Sequence, residues 1–69
     1  MDYSKLRGKI REVYHSEFEF AKAMNLSRTT LSAKLNGKTQ WSMSEVENSC
    51  KLLTIPMSEI EIYFFTTRV

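Results

Sequence analysis

Residues 16–37 read SEFEFAKAMNLSRTTLSAKLNG, and their punctuation predicts two short helices joined by a tight turn. Ser16 followed by Glu19 has the spacing of a capping box, in which each side chain satisfies an otherwise orphaned backbone N–H. Asn25 stands where the first helix should stop, and Asn is the best residue after Gly for a left-handed cap. Ser27 then reopens the chain as an N-cap, with Leu26 and Leu31 placed as the two halves of a hydrophobic staple. The inward positions are Phe20, Ala21 and Met24 on the first helix, Leu26 in the turn, and Leu31 and Leu35 on the second. Ala21 is small enough to let two helices cross closely at a steep angle.

The flanking sequence extends this pattern. Asp2 to Tyr14 predicts a first helix with Tyr3, Leu6, Ile10, Val13 and Tyr14 on one face. Lys5, Arg7, Lys9 and Arg11 cover the rest, as a solvated charged face from which Lys5 or Arg7 could reach a phosphate. Gly8 lowers helix propensity unless a close helix contact requires it. Asn36-Gly37-Lys38-Thr39-Gln40 forms the loop after the inner helices, with Gly37 as a left-handed cap. Ser42 and Glu45 form another capping box, and Trp41 with Val46 supplies its staple. That marks a fourth helix, Met43 to Leu53, burying Met43, Val46, Cys50 and Leu53. Lys34 is expected at the flank of the buried stripe, its ammonium reaching outward.

The last segment carries two signals. Pro56 can open a helix, and Ser58 with Glu61 repeats the capping-box spacing, which predicts a fifth helix from about Pro56 to Tyr63. Ile60, Ile62 and Phe64 nevertheless alternate with Glu61 and Tyr63, which is strand periodicity. Tyr63, Phe64 and Phe65 are expected to pack on the core or on a second subunit. An extended arm pairing across a dimer is the alternative.

The residues Phe20, Ala21, Met24, Leu26, Ser27, Leu31, Ser32 and Asn36-Gly37 resemble the helix-turn-helix of the lambda-repressor/Cro-like family of bacterial and phage regulators. The opening Met-Asp-Tyr-Ser-Lys-Leu-Arg-Gly-Lys-Ile and the closing Tyr-Phe-Phe-Thr resemble short phage-associated members. The resemblance implies an all-α, compact four- to five-helix lambda-repressor-like DNA-binding domain over residues 1–69. Three positions depart from the family pattern. Asn25 replaces the usual turn Gly, Phe18 is apolar where the family is exposed, and Glu17 stands where a Gln often meets a phosphate. A carboxylate at that last position would repel DNA.

On this reading residues 28–35 are the recognition helix. With Leu31 and Leu35 inward, Arg28, Thr29, Ser32 and Ala33 face outward as the base-reading set. Arg can grip guanine with two hydrogen bonds, Thr and Ser suit base edges, and Ala suits a thymine methyl. Ser27, Thr30, Asn36, Lys38 and Gln40 are expected to contact the phosphate backbone. Short side chains on an exposed helix face favour contact over solvation, since Glu, Lys and Gln would serve a solvated face better.

Composition agrees with a small regulator and disfavours other classes. Of 69 residues 42% are hydrophobic and 12% aromatic, enough for a thin core but not for disorder. Net charge is only +2. Residues 1–40, however, hold eight Lys or Arg against four acids, and the remainder two against four. One Cys excludes an internal disulfide, and one Cys with one His cannot build a tetrahedral zinc site. His15 is expected as a junction residue. No cofactor or metal is expected, and no enzyme: there is no Gly-rich phosphate loop and no nucleophile–base motif. Glu17 and Glu19 are explained by the helix N-terminus they occupy. No apolar stretch is long enough to span a bilayer and none resembles a signal peptide, so a cytoplasmic protein of a bacterial host is expected.

The expected function is a sequence-specific regulator, repressor- or Cro-like, binding duplex DNA at an inverted-repeat operator as a homodimer. Neither a membrane nor a small-molecule substrate is expected. The alternative is an antirepressor-like interaction module that uses the same fold to bind another regulator. It is favoured by the low net charge and by Glu17.

Overall fold

Three helices of the computed structural model begin on serines in extended backbone, as local sequence predicts. The structure describes residues 2–65. Ser16, Ser27 and Ser42 each accept a hydrogen bond from the backbone N–H three residues on, at 3.1–3.2 Å. They open α2 (Glu17–Ala23), α3 (Arg28–Leu35) and α4 (Met43–Leu53). Before them comes α1 (Ser4–Tyr14), and after them a 3₁₀ turn (Met57–Glu59) runs into α5 (Ile60–Phe64). The described residues contain helices and no strand, so the all-α expectation holds.

The helices also stop where left-handed residues stand. Asn25 has φ 59° and Gly37 φ 75°. In both turns two backbone bonds close a Schellman motif: Leu26 to Ala21 and Asn25 to Lys22, then Lys38 to Ala33 and Gly37 to Lys34. His15 at φ 71° and Thr54 at φ 57° end α1 and α4 the same way without Gly or Asn. For β-branched Thr54 that backbone is strained.

One core collects Leu6 and Ile10 from α1, Phe20 and Ala21 from α2, Leu31 and Leu35 from α3, Cys50 and Leu53 from α4, and Phe64 from α5. Helix α1 packs on α2, α4 and α5, and α2 packs on α3. The radius of gyration, 10.9 Å, is what a compact chain of this length should have.

Several expectations need correcting. Helix α1 starts at Ser4, because Asp2 accepts the Ser4 N–H at 2.9 Å in a local turn. Val13, 40% exposed, falls off the end of the buried stripe, whereas Tyr14 is half-buried against Phe20. Met43 is 69% exposed, since a residue in the first turn of α4 lies beyond the core. Ser49, not expected inside, is fully buried and donates to Met24 Sδ at 3.5 Å. The Ser16–Glu19 box is half-formed, for the Glu19 carboxylate lies 3.7 Å from Lys22 Nζ. Ser58 caps nothing: it lies inside the 3₁₀ turn, and α5 starts later. Over residues 60–64 the helix signal wins over the strand periodicity: α5 packs on α1 and buries Phe64 edge-on against Trp41. Residues 66–69, which the expected arm would include, lie outside the described residues.

Candidate functional site

The outer face of α3 is held by a helix cap at one end and buried leucines beneath. Ser27 orients it by accepting the Thr30 N–H and donating to Thr30 Oγ1 at 2.8 Å. Leu31 and Leu35 anchor it, at 1% and 3% exposure. The opposite side presents Arg28, Thr29, Ser32, Ala33, Asn36 and Lys38, which together line one shallow concavity. The four expected base-reading residues and two of the expected backbone contacts are therefore contiguous. Ser27 and Thr30 sit at the start of the helix, bonded to each other. Gln40 is exposed on the following loop and does not line the concavity.

Arg7, expected on a solvated face or at a phosphate, is instead tied to this surface. Its Nη1 meets Glu17 Oε2 at 2.8 Å and its Nη2 donates to Asn36 Oδ1 at 2.7 Å. Asn36 Nδ2 lies 3.4 Å from Ser32 Oγ. One guanidinium thus links α1, the start of α2 and the end of α3. It also neutralises the carboxylate that would repel DNA. Glu17 and Asn36 lie 10 and 29 residues from Arg7, so no sequence window contains the pairing.

The loop after α3 is held from below by Lys34. Its side chain is turned in, leaving the residue 8% exposed, and Nζ contacts Glu45 Oε1 at 2.9 Å and the Gln40 carbonyl at 3.0 Å. The outward ammonium expected from the sequence is corrected: a carboxylate and a carbonyl are waiting inside, and both must be found across the turn. Glu45 Oε1 also accepts the Ser42 N–H at 2.8 Å, completing the capping box. Burial alone would raise the Glu45 carboxyl. Hydrogen bonds from Lys34 and Ser42, with the Lys34 charge, outweigh it and hold the group below its ordinary value.

Beside that loop Trp41 stacks edge-on with Phe64 (5.2 Å between ring centroids, 80°) and tilts against Tyr3 at 6.2 Å. Its indole N–H is buried and has no hydrogen-bond partner among the described residues. Tyr3, Trp41, Val46, Phe64 and Phe65 line a cavity here. Of the C-terminal trio, Phe64 belongs to the core, Tyr63 is half-buried, and Phe65 is about half exposed. Phe18 is 50% exposed under Lys22, whose ammonium sits 5.3 Å from the ring centre.

Other chemistry is sparse. No group of three His, Cys, Asp or Glu residues among the described residues could hold a metal. Cys50 is buried, which pushes its thiol up in pKa and away from nucleophilic use. His15 is exposed at the end of α1. No helix among the described residues is long and apolar enough to cross a membrane.

A family described as a protein of unknown function (DUF739) matches residues 1–67. Among solved structures the chain is similar to the modulator of repression (MOR) of the temperate bacteriophage TP901-1 from Lactococcus lactis, determined in solution. The two share 41% identity over 99% of this chain and 92% of that one, with a TM-score of 0.85. No curated protein matches.

Proposed function

The chain belongs to the DUF739 family, and on that premise we propose that it is a phage-type transcription regulator whose working surface is the outer face of α3. On this reading the face enters the major groove of duplex DNA. The observation that carries it is the single concavity formed by Arg28, Thr29, Ser32, Ala33, Asn36 and Lys38. Short side chains line it, a cation stands at each end, and its helix is pinned by a cap and a Schellman turn. Arg28 and Thr29, at the N-terminal end, read bases; Ser32 and Ala33 follow. Lys38 and Asn36, with Gln40, Ser27 and Thr30 around them, contact the backbone. A homodimer would place two such helices about 34 Å apart on an inverted repeat. Since Phe64 is used in its own core, the dimer surface would involve Tyr63 and Phe65. The place of action is the bacterial cytoplasm, where the operator is.

Selection of duplexes from a random pool, followed by titration of the winner at several salt concentrations, tests this. An enriched inverted repeat with a steep salt dependence supports it. Arg28→Ala should then cost about 1–3 kcal/mol and relax one base position, and Lys38→Ala should weaken all duplexes alike. Wild-type binding by both variants overturns the assignment.

A second reading is an antirepressor-like module that uses this fold to bind another regulator. Two observations favour it. The surface around α3 carries Glu17 as well as cations, with Arg7 spent on neutralising it. The similar phage protein is named a modulator of repression. Absence of any enriched duplex, together with a stoichiometric complex with a repressor from the same genome in size-exclusion chromatography, would establish this reading over the first.

A further inference from the structure

We propose that Arg7, acting through Asn36, biases Ser32 toward donating outward from the face of α3, so that an acceptor is the preferred group there. This inference rests on the reading of that face as the DNA-contacting surface.

The argument is one of polarity. A guanidinium has donors only. Asn36 must therefore turn its carbonyl oxygen to Arg7, where the 2.7 Å contact lies. Its NH2 group is left facing Ser32 Oγ at 3.4 Å, the longest link of the relay. The Ser32 oxygen is thus used as an acceptor, and no hydrogen bond within the described residues takes its hydrogen. Ser32 is half-buried in the wall of the concavity, so that hydrogen is available to a ligand seated there. Glu17 holds the other edge of the guanidinium at 2.8 Å, which stops the fork from rotating and letting the amide flip.

The ion pair itself contributes little stability, since both side chains are about a third exposed. Its consequence is orientation. In a major groove, acceptors are N7 and O6 of guanine, N7 of adenine and O4 of thymine; the amino groups of cytosine and adenine are donors. A Ser32 with one lone pair already engaged favours the acceptor set, whereas a serine without the Asn36 contact carries no such bias. Arg7 is a positioning residue, one turn removed from the contact it controls.

The test compares base preferences of wild type, Ser32→Ala, Arg7→Ala and Asn36→Asp by selection from random duplexes. Ser32→Ala identifies the base position concerned. Asn36→Asp keeps an oxygen for Arg7 but presents a second acceptor to Ser32, drawing its hydrogen inward. Preference for an acceptor at that position should fall about tenfold, while preferences elsewhere stay, whatever the uniform loss from the added charge. Arg7→Ala should relax the same position by freeing the amide. Unchanged preference at that position in both variants overturns the proposal. If wild type enriches no duplex, the DNA reading fails and this inference fails with it. The two failures are told apart on ligand-free protein: the Asn36 side-chain amide resonances should shift in Arg7→Ala if the relay exists, and stay in place if it does not. Exposed Asn36→Asp keeps the comparison available should Arg7→Ala fold poorly.

Discussion

Removing the Glu45 carboxylate should cost far more than removing the lysine it pairs with. In Glu45→Ala two groups lose a partner. The Ser42 N–H at the start of α4 loses the second half of its capping box, worth about 1 kcal/mol. The Lys34 ammonium, its side chain only 10% exposed, keeps a single carbonyl as partner, a loss of roughly 1–3 kcal/mol. The expected total is about 2–4 kcal/mol. For a domain of this size each kcal/mol lowers Tm by about 4–8 °C, so the variant should melt at least ~8 °C lower. Lys34→Met keeps the buried stem and removes the ion. Glu45 remains bonded to Ser42 and partly hydrated, so the change should stay within about 1 kcal/mol.

The same pair gives a pH signature. The Glu45 carboxyl lies below its ordinary value of 4.5 in the folded chain. Its contribution is therefore complete above the unfolded value and is lost as pH falls through the lower folded one. The gap in stability between wild type and Glu45→Gln should be widest near neutrality and close in acid. Thermal unfolding by circular dichroism over a pH series measures all of this. Equal losses for Glu45→Ala and Lys34→Met, or a gap that does not shrink as pH falls below 4.5, would refute the reasoning.

Four further outcomes are expected. Gly8→Ala should stabilise by about 0.5–1 kcal/mol, since an added Cβ meets nothing within 4 Å and the helix propensity rises; a loss in urea titration would contradict it. Thr54→Gly should gain up to about 1 kcal/mol by relieving the left-handed backbone, read as a higher Tm. Phe64→Ala should cost about 3–5 kcal/mol, read as a large drop in Tm; an unchanged melt would detach α5 from the core. Cys50 should resist thiol reagents in the native chain and react promptly in denaturant, as mass spectrometry can follow.

Local chemistry was legible in the sequence; long-range pairing was not. Ser27, Asn25, Ser42 with Glu45, and Gly37 act on backbone within a few residues, so α3 and α4 could be bounded from the text alone. The face Arg28, Thr29, Ser32, Ala33 follows from helical spacing once Leu31 is placed inside. Lys34 and Arg7 were misread because their partners lie on other elements, and a cation's direction depends on where acceptors stand in space. Met43 and Val13 were misread at helix ends, where the apolar stripe runs out past the core. Ser58 shows the opposite limit: a correct motif spacing does nothing when the next turn is 3₁₀.

The chain has one tryptophan, and its indole packs between the loop after α3 and the last described helix, with no hydrogen bond to its N–H among the described residues. It is a built-in optical gauge. An indole so placed emits at short wavelength and shifts to the red when water reaches it. Loosening of α5 from Trp41, or a shift of the loop that carries Lys38, would change that colour in unlabelled protein. A ligand on α3 that leaves the emission untouched has been met by a rigid surface.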